Sequence, residues 1–404
     1  NERDLTDFNI MVTHGQLYYK TKLNRWLSFG TQANALFHYG TESISQVDPI
    51  TGSGPIYEGN LWVNRNMTGS VETTLPQLYL RANLEGHSLM VGRIVKDTPI
   101  LNAEPWPFTD AIQGIWYEYQ SNKKLYMQGG WVSRLSPRQT GAFVSIGESL
   151  GLAGVGTDIF GNPSGYRGNV DSNYLLIGDV EYKFSESFKI DGWTFYADNV
   201  IRTGLIEATY SNREKERSIS SMFIYQNKFG EGGNIDSNLA YKNEDQASYF
   251  GLRINQKMGN NNLQFNIGRI TKLGRFLLPR EWGLEPFYTF QRRTRIEGAS
   301  DVTSVMFRWQ RTWDKENALF NVFSSIGTNQ FGTVNDPAKN KFSMPNHHHI
   351  DLSVEYLPKQ FKGLSAEIYV AQRLLSGDAP SDSFIINRAN FFHFDFLLSY
   401  RFKR

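Results

Sequence analysis

Residues 391–402 read FFHFDFLLSYRF, and their side chains alternate between apolar and polar along the stretch. One set of alternate positions carries only aromatic and aliphatic side chains: Phe392, Phe394, Phe396, Leu398, Tyr400 and Phe402. The polar side chains all fall in the other set: His393, Asp395, Ser399 and Arg401. This period of two predicts a β-strand with one apolar face. If that face contacts lipid while the polar face lines a water-filled lumen, segments of about ten residues with the same pattern should recur along the chain.

The pattern does recur. Together with 391–402, the further segments give seventeen predicted strands: 13–21, 26–39, 75–83, 87–96, 111–120, 124–134, 173–184, 188–198, 203–210, 217–228, 247–258, 262–271, 301–313, 318–329, 347–358 and 363–375. Repeated strands with one apolar face predict an all-β fold, a transmembrane antiparallel β-barrel.

The connections between these segments differ in length. Tight turns of the kind that Gly, Asn, Asp and Lys favour are expected at Gly86, Asn122, 185–187, 259–261, 314–317 and 359–363. Long connections are expected at 40–73, 97–110, 135–172, 229–246, 272–300, 330–346 and 376–390. Strict alternation of short periplasmic turns with long extracellular loops is typical of an outer-membrane barrel.

The number of strands is odd, whereas bacterial single-chain barrels have an even number. If the last strand runs towards the periplasm, counting back leaves the N-terminus outside. We therefore expect about eighteen strands, with the first one preceding Asn1.

Composition agrees with one large sheet. The chain has 404 residues with 28 Phe, 20 Tyr, 9 Trp and no Cys, and no boundary divides it, so residues 1–404 are predicted to form a single domain. No run of 18 apolar residues predicts a membrane helix. Because 42 basic residues nearly balance 40 acidic ones, the net charge of +2 does not favour nucleic acid as a partner. The absence of Cys excludes disulfides and Cys-ligated metals.

Several stretches resemble the OprD-type porins, in particular members from Bacteroidetes and Campylobacter-like bacteria. They are THGQLYYKT at 13–21, VGRIVKDTPILN at 91–102, AIQGIWYEY at 111–119, YMQGGWVSRLSPRQTGAF at 126–143, DVTSVMFRWQRTW at 301–313, IDLSVEYLP at 350–358, KGLSAEIYVAQRL at 362–374 and FDFLLSYRF at 394–402. The resemblance implies an eighteen-stranded, usually monomeric channel whose third and seventh loops fold inward. It also implies a row of arginines that guides carboxylate-bearing solutes. The sequence departs from the family in 97–110, which lacks the expected basic residue.

Charged side chains on the strands are assigned to the lumen by parity, because Arg or Lys on the lipid face costs roughly 2–4 kcal/mol at mid-bilayer. The predicted pore-lining basic residues are Arg81, Arg253, Lys257, Arg308, Arg373 and Arg401. The predicted pore-lining acidic residues are Asp179, Glu181, Asp351, Glu355, Glu367 and Asp395. Separated charges of this kind would set up a transverse field, although they could equally pair with each other and only hydrate the lumen.

Two long loops are candidates for a constriction. Segment 97–110 offers Asn102, Glu104 and Asp110, and segment 272–300 offers Arg280, Glu281, Arg292, Arg293 and Arg295. Segment 135–172 is rich in Gly and small residues, so it is a candidate plug.

The triplet of His347, His348 and His349 resembles a metal site, but consecutive residues of a strand point to alternate faces and cannot converge on one ion. We therefore predict no metal and no cofactor.

The sequence favours a porin, not an enzyme, that allows passive diffusion of small hydrophilic solutes, with anionic or carboxylate-bearing solutes preferred. Its expected surroundings are the lipid and lipopolysaccharide of the outer membrane of a Gram-negative bacterium, as a monomer that could associate with other outer-membrane proteins. A plugged barrel that serves as a structural or assembly component is the alternative. An outer-membrane hydrolase is less favoured. It would need a His paired with a Ser or Asp, and the His residues of this chain outside the triplet, His14, His38, His87 and His393, lie on separate predicted strands.

Overall fold

The computed structural model describes residues 5–38, 46–55, 71–102, 108–121, 123–137, 140–212, 214–380, 385–386 and 388–402. Within them the chain forms seventeen long strands and one strand of two residues, with very little helix. The strands are β1 (Val12–Lys22), β2 (Leu27–His38), β3 (Val71–Leu84), β4 (His87–Ile94), β5 (Ala111–Ser121), β6 (Leu125–Ser136), β7 (Val144–Ser145), β8 (Leu175–Lys183), β9 (Phe188–Ala197), β10 (Ile201–Ser211), β11 (Arg217–Lys228), β12 (Gln246–Met258), β13 (Asn261–Ile270), β14 (Val302–Asp314), β15 (Ala318–Phe331), β16 (His347–Pro358), β17 (Leu364–Leu375) and β18 (Phe391–Tyr400).

All the strands belong to one antiparallel sheet, and each long strand pairs with the next one along the chain. The short strand β7 pairs only with β6, which continues the sheet by pairing with β8. Each of the seventeen predicted strands is found, with ends that differ by a few residues. The all-β barrel fold predicted from the alternation is therefore confirmed. A further strand that precedes Asn1 stays a prediction.

The two faces of the sheet differ as the alternation requires. On β18, Phe392, Phe394 and Phe396 are exposed, and their outward neighbours across the sheet include Ile368 and Val370 of β17. On the opposite face, side chains such as Trp116 and Tyr249 are completely buried. The exposed apolar face is the one that would meet lipid, because no layer of the described chain covers it.

The predicted strict alternation of loop lengths is wrong at one place. The strands β9 and β10 are joined by the tight turn 198–200, in which Asn199 has a left-handed φ of 56°. Long segment 137–174 enters β8, and β9 returns to the same end of the barrel, so this tight turn lies among the long loops. Asn tolerates the left-handed conformation better than most residues, which allows such a turn.

The long loops fold over the inner face of the barrel. Segment 137–174 contains the short helix α1 (Ile146–Ser149), and segment 271–301 contains a 3-10 turn at Arg280–Trp282. Apolar side chains of these loops and of the inner wall form one core, which includes Trp116, Trp193, Ile146, Trp282 and Phe342. None of the helices in the described part of the chain is long and apolar enough to cross a membrane.

Candidate functional site in the lumen

The loop between β13 and β14 lies along the inner wall. Its residues contact four strands. Tyr288 Oη donates to Glu207 of β10 at 2.7 Å, and Gln291 Nε2 donates to Ser325 of β15 at 2.8 Å. Thr294 lies 3.0 Å from His347 of β16, and Arg293 pairs with Asp395 of β18 at 2.5 Å. The segment lies against several strands of the inner wall and therefore narrows the lumen. This is one of the two loops predicted to form a constriction.

Arg253 projects inward from β12. Its Nε donates to Asn266 Oδ1 at 2.9 Å, and its guanidinium lies over the ring of Tyr288 at 4.1 Å. Both partners are neutral, and Arg253 forms no ion pair with a carboxylate of the described chain. Within the described residues, its positive charge is therefore not neutralised by a carboxylate.

Arg308 projects inward from β14, two strands away. One of its terminal nitrogens donates to the carbonyl oxygen of Phe290 at 2.9 Å, and the guanidinium lies over Phe323 at 5.0 Å. Its Nε is buried without a hydrogen-bond partner, and it too forms no ion pair among the described residues. An unsatisfied buried donor of this kind costs free energy unless a ligand or water reaches it.

Two inward side chains of β13 complete this group. Asn266 lies opposite Arg253, and Gln264 lies opposite Arg308. Gln264 Oε1 is buried and has no partner. We name Arg253, Arg308, Gln264 and Asn266 the arginine site. The two amides were not predicted from the sequence, although the alternation of NNLQFNIGRI at 261–270 was enough to place them inward.

Three of the other predicted arginines, Arg81, Arg292 and Arg373, are neutralised or covered. Arg81 pairs with Glu118 at 3.1 Å, and Arg292 pairs with Glu367 at 2.8 Å. Arg373 is only 1% exposed, and it donates to the carbonyl oxygen of Arg293 at 2.6 Å. The expectation that Arg373 lines the open pore is therefore wrong, because the inward loop covers it.

The remaining predicted pore-lining residues differ in exposure and in hydrogen-bond partners. Lys257 is exposed near the end of β12, and Arg401 is exposed just after β18. Asp351 is buried and accepts from the Ser325 backbone at 3.0 Å, whereas Glu355 accepts from Asn321 at 2.9 Å. Neither carboxylate forms an ion pair within the described chain.

A second arc of the wall is acidic. The inward carboxylates on β5, β8, β9 and β10 are Glu118, Asp179, Glu181, Asp191 and Glu207. Glu118 pairs with Arg81 and Lys96, and Glu181 pairs with Lys189 at 2.7 Å. Asp179 accepts from Gln128 at 3.0 Å, yet it and Asp191 each keep one oxygen without a partner. The cations Arg81, Lys96 and Lys189 offset only part of the charge of these five carboxylates, so this arc of the wall is acidic on balance.

The other constriction candidates serve to join loops. Asn102 exchanges two hydrogen bonds with the backbone of Leu284, at 3.0 and 3.2 Å, so segments 97–102 and 271–301 are fixed to each other. Asp110 is buried and Arg295 is half-buried. Glu104 lies outside the described residues.

Three long loops meet around a buried charged cluster. Glu281 accepts from the backbone of Gly151 and Ala153 at 2.8 and 2.9 Å, and Arg280 pairs with Glu297. Lys341 lies over the ring of Tyr166 at 4.3 Å and over Tyr241 at 5.2 Å. These contacts tie segments 137–174, 271–301 and 332–346 into one unit.

Burial determines the protonation of this cluster. It raises the pKa of Glu285 to about 7, while the cations Arg295 and Arg280 lower that pKa. It lowers the pKa of Lys341 to about 7, and the nearby Arg275 lowers it further. Both pKa values are thus shifted towards neutral pH, because burial disfavours the charged form of each group.

The histidines do not form a metal site in the described chain. His347 and His349 are buried on the inner face, and His348 between them is exposed. Across the described residues, no group of three or more His, Cys, Asp or Glu side chains is arranged to hold a metal ion. His393 lies 2.9 Å from both Arg293 Nε and Asp395 Oδ1, so it belongs to the contact that anchors the inward loop.

Several solved porin structures have a similar fold. OccAB4 of Acinetobacter baumannii matches 99% of this chain and 93% of its own, with 16% identity and a TM-score of 0.69. Pseudomonas aeruginosa OpdK, solved with vanillate, matches 97% and 92% with 10% identity and a TM-score of 0.71. A BenF-like porin of Pseudomonas fluorescens Pf-5 matches 97% and 91% with 13% identity and a TM-score of 0.70.

These similarities cover nearly the whole of each chain, and they show that this protein has the barrel fold of the Occ and BenF-like porins. At such low identity the likeness establishes the fold alone. No protein-family model matches the sequence, and no curated protein matches it either.

Proposed function

We propose that residues 1–404 form one outer-membrane porin domain that allows passive diffusion of small hydrophilic solutes, with carboxylate-bearing solutes favoured. The observation that carries this proposal is the arginine site. Two inward guanidiniums lack a carboxylate partner in the described chain, and one of them has an unsatisfied donor.

A carboxylate is the group that fits this site best. Guanidinium presents a planar set of donors that matches the two oxygens of a carboxylate, and charge-assisted hydrogen bonds are stronger than neutral ones. The arginines are held by Asn266 and by the carbonyl of Phe290, so their orientation is fixed before a solute arrives. The acidic arc repels the same carboxylate and directs it towards the arginines.

The solved relatives support the same class of solute. OpdK was solved with vanillate, which is an aromatic carboxylate, and the BenF-like protein is named a porin. The stretches of sequence that resemble OprD-type porins support membership of that family and an origin in Bacteroidetes or similar Gram-negative bacteria. A monomer surrounded by outer-membrane lipid and lipopolysaccharide belongs to the same proposal.

Single-channel recording in planar bilayers tests the proposal. We expect ohmic conductance from the wild-type protein and an anion-to-cation permeability ratio that falls in Arg253→Glu and Arg308→Glu. Lys362→Glu is the matched control, because this exposed residue lies in the turn between β16 and β17 and carries the same change of charge. Conductance without any shift in the two lumenal variants would contradict the role of the arginine site.

A second function is favoured by the charged cluster that joins the loops. Because Lys341 and Glu281 tie three loops together over the inner wall, the barrel could be a plugged structural or assembly component. Such a protein would give no conductance at any voltage. The same recording therefore separates the two functions.

A further inference from the structure

Three polar side chains form a row on the outward face of the barrel. Arg93 of β4 lies opposite Gln113 of β5, and Gln113 lies opposite Arg134 of β6. Neighbouring strands are about 4.8 Å apart, so the two arginines are roughly 10 Å apart with the amide between them. We name Arg93, Gln113 and Arg134 the outer basic row.

The row lies where the apolar band ends. One pleat nearer the middle of the same strands, Val91, Ile115 and Trp131 occupy the corresponding outward positions, and they are 48%, 43% and 44% exposed. From the row, β4 continues directly into the long segment 95–110. The outer basic row therefore marks the boundary of the lipid-facing surface at the end that carries the long loops.

The sheet is modified at this row. The pairing of β5 with β6 shifts between Gln113 and Gly114, which leaves Ser133 as an extra residue beside Arg134. Ser133 Oγ donates to the carbonyl oxygen of Gln113 at 3.1 Å. A β-bulge re-aims the side chain next to it, and here it turns Arg134 to the outward face.

The two guanidiniums have no acidic partner in the described chain. Arg93 lies over the ring of Phe143 at 4.5 Å. Arg134 interacts electrostatically with Glu148, whose carboxylate is held by the Ser145 backbone N–H at 2.9 Å and by the Ser145 hydroxyl at 2.8 Å. Those hydrogen bonds lower the pKa of Glu148, and Arg134 lowers it further without forming an ion pair.

We propose that the outer basic row binds the phosphate of an anionic lipid headgroup in the membrane leaflet nearest the long loops. Guanidinium groups bind phosphate in a bidentate manner, and the Gln113 amide between them adds a further donor. A lipid is favoured over free phosphate because the row adjoins the apolar row of Val91, Ile115 and Trp131, which the acyl chains of the same lipid would cover. The inference depends on the membrane location proposed above, but not on conduction.

Binding of lipid A with two phosphates to the full chain in nonionic detergent tests this inference, with native mass spectrometry as the readout. Two interfacial charges together contribute roughly 30-fold in affinity, so the double variant Arg93→Gln/Arg134→Gln should bind about that much more weakly. Arg311→Gln is the matched control, since Arg311 lies over Trp313 at 5.0 Å, near the short-turn end of β14. It should bind lipid A as the wild type does.

Equal binding of lipid A by the wild type and the double variant would overturn the inference. Competition by inorganic phosphate at the same concentration as lipid A would also overturn it, because the ligand would then be the free anion. Dephosphorylated lipid A should bind weakly to every variant, and tight binding of it to the wild type would exclude phosphate recognition.

If the double variant fails to fold by circular dichroism, Arg93→Lys/Arg134→Lys replaces it. This variant keeps the charge but loses bidentate geometry, so we expect an intermediate affinity, and wild-type affinity would contradict a guanidinium site. Loss of conductance with lipid binding retained would count against the porin and not against the outer basic row.

Discussion

Arg293 of the inward loop donates to Asp395 of the last strand at 2.5 Å, and its Nε lies 2.9 Å from His393 of the same strand. Arg293 is 100 residues and more away from both partners in sequence. The contact anchors the loop on β18, while Tyr288, slightly earlier in the same loop, anchors it on β10 through Glu207. The middle of the loop that narrows the lumen is therefore fixed to two distant strands.

Removing the charge of Asp395 should loosen this loop. Hydrogen bonds to charged groups contribute about 1.5–3 kcal/mol, so Asp395→Asn should raise local opening of 287–295 by roughly tenfold or more. Hydrogen exchange followed by mass spectrometry measures that opening. Asp378→Asn is the control, because Asp378 is exposed in the loop before β18. Equal exchange in both variants would show that the ion pair does not hold the loop.

The junction between two inward loops depends on a glycine. Gly283 has a φ of 144°, and a Cβ atom there would lie 2.6 Å from Asn102 Oδ1. Gly283→Ala should therefore break the hydrogen bonds between Asn102 and Leu284 and destabilise the junction by about 1–3 kcal/mol. Protease sensitivity of segment 97–102 reports the change.

Gly154→Ala serves as the control for this variant, because no atom lies within 4 Å of a Cβ placed there. It lies in another of the inward loops and adds the same methyl group. Resistance to protease in both variants would show that the two loops are held together by other contacts.

The stability of the loop cluster should depend on pH through Lys341. Burial lowers its pKa from 10.5 to about 7 in the folded protein, so the unfolded state binds more protons between these values. The free energy of unfolding should therefore rise as the pH is raised from about 7 to about 10, and this contribution of Lys341 should be lost when the pH is lowered to 7. Denaturant titrations at several pH values measure the slope.

Lys341→Met is the matched variant for that measurement, since it keeps the length of the side chain without the titratable group. We expect a smaller rise in stability over the same pH range. An unchanged slope would assign the effect to other buried groups, of which Lys242, with a pKa lowered by burial to about 8, is the next candidate.

The inner core should be sensitive to loss of its largest side chain. Trp116 is completely buried among residues of the wall and of the loops. Trp116→Ala should reduce the free energy of unfolding by about 3–5 kcal/mol, because it removes apolar contacts and leaves a cavity. Chemical unfolding in detergent provides the measurement. Trp26→Ala, in the exposed turn before β2, should cost much less.

The strands could be predicted from the sequence because alternation is a local property. Phe250, Leu252 and Ile254 are outward and Arg253 is inward, as the order of residues in β12 requires. The predicted strands 188–198 and 203–210 left only a short connection between them, which the predicted strict alternation of loop lengths did not accommodate, so the tight turn at 198–200 was not recognised. Asn199 was the local signal that could have revealed it.

The arginine site was predicted only in part. Parity placed Arg253 and Arg308 inward, but it placed Arg373 there as well, and only the tertiary structure shows that the inward loop covers Arg373. Arg253 and Arg308 bond to neutral partners, Asn266 and the carbonyl of Phe290, and not to carboxylates. These partners lie on a neighbouring strand and on the inward loop, so only the folded structure identifies them.

The sequence by itself determined that this chain forms a barrel and which side chains face each side, because a β-strand reverses the direction of its side chains at every residue. The tertiary structure decided which inward charges remain unpaired and which are covered by the loops. That outcome depends on contacts between residues such as Arg293 and Asp395, which only the assembly of the sheet and the folding of the loops bring together.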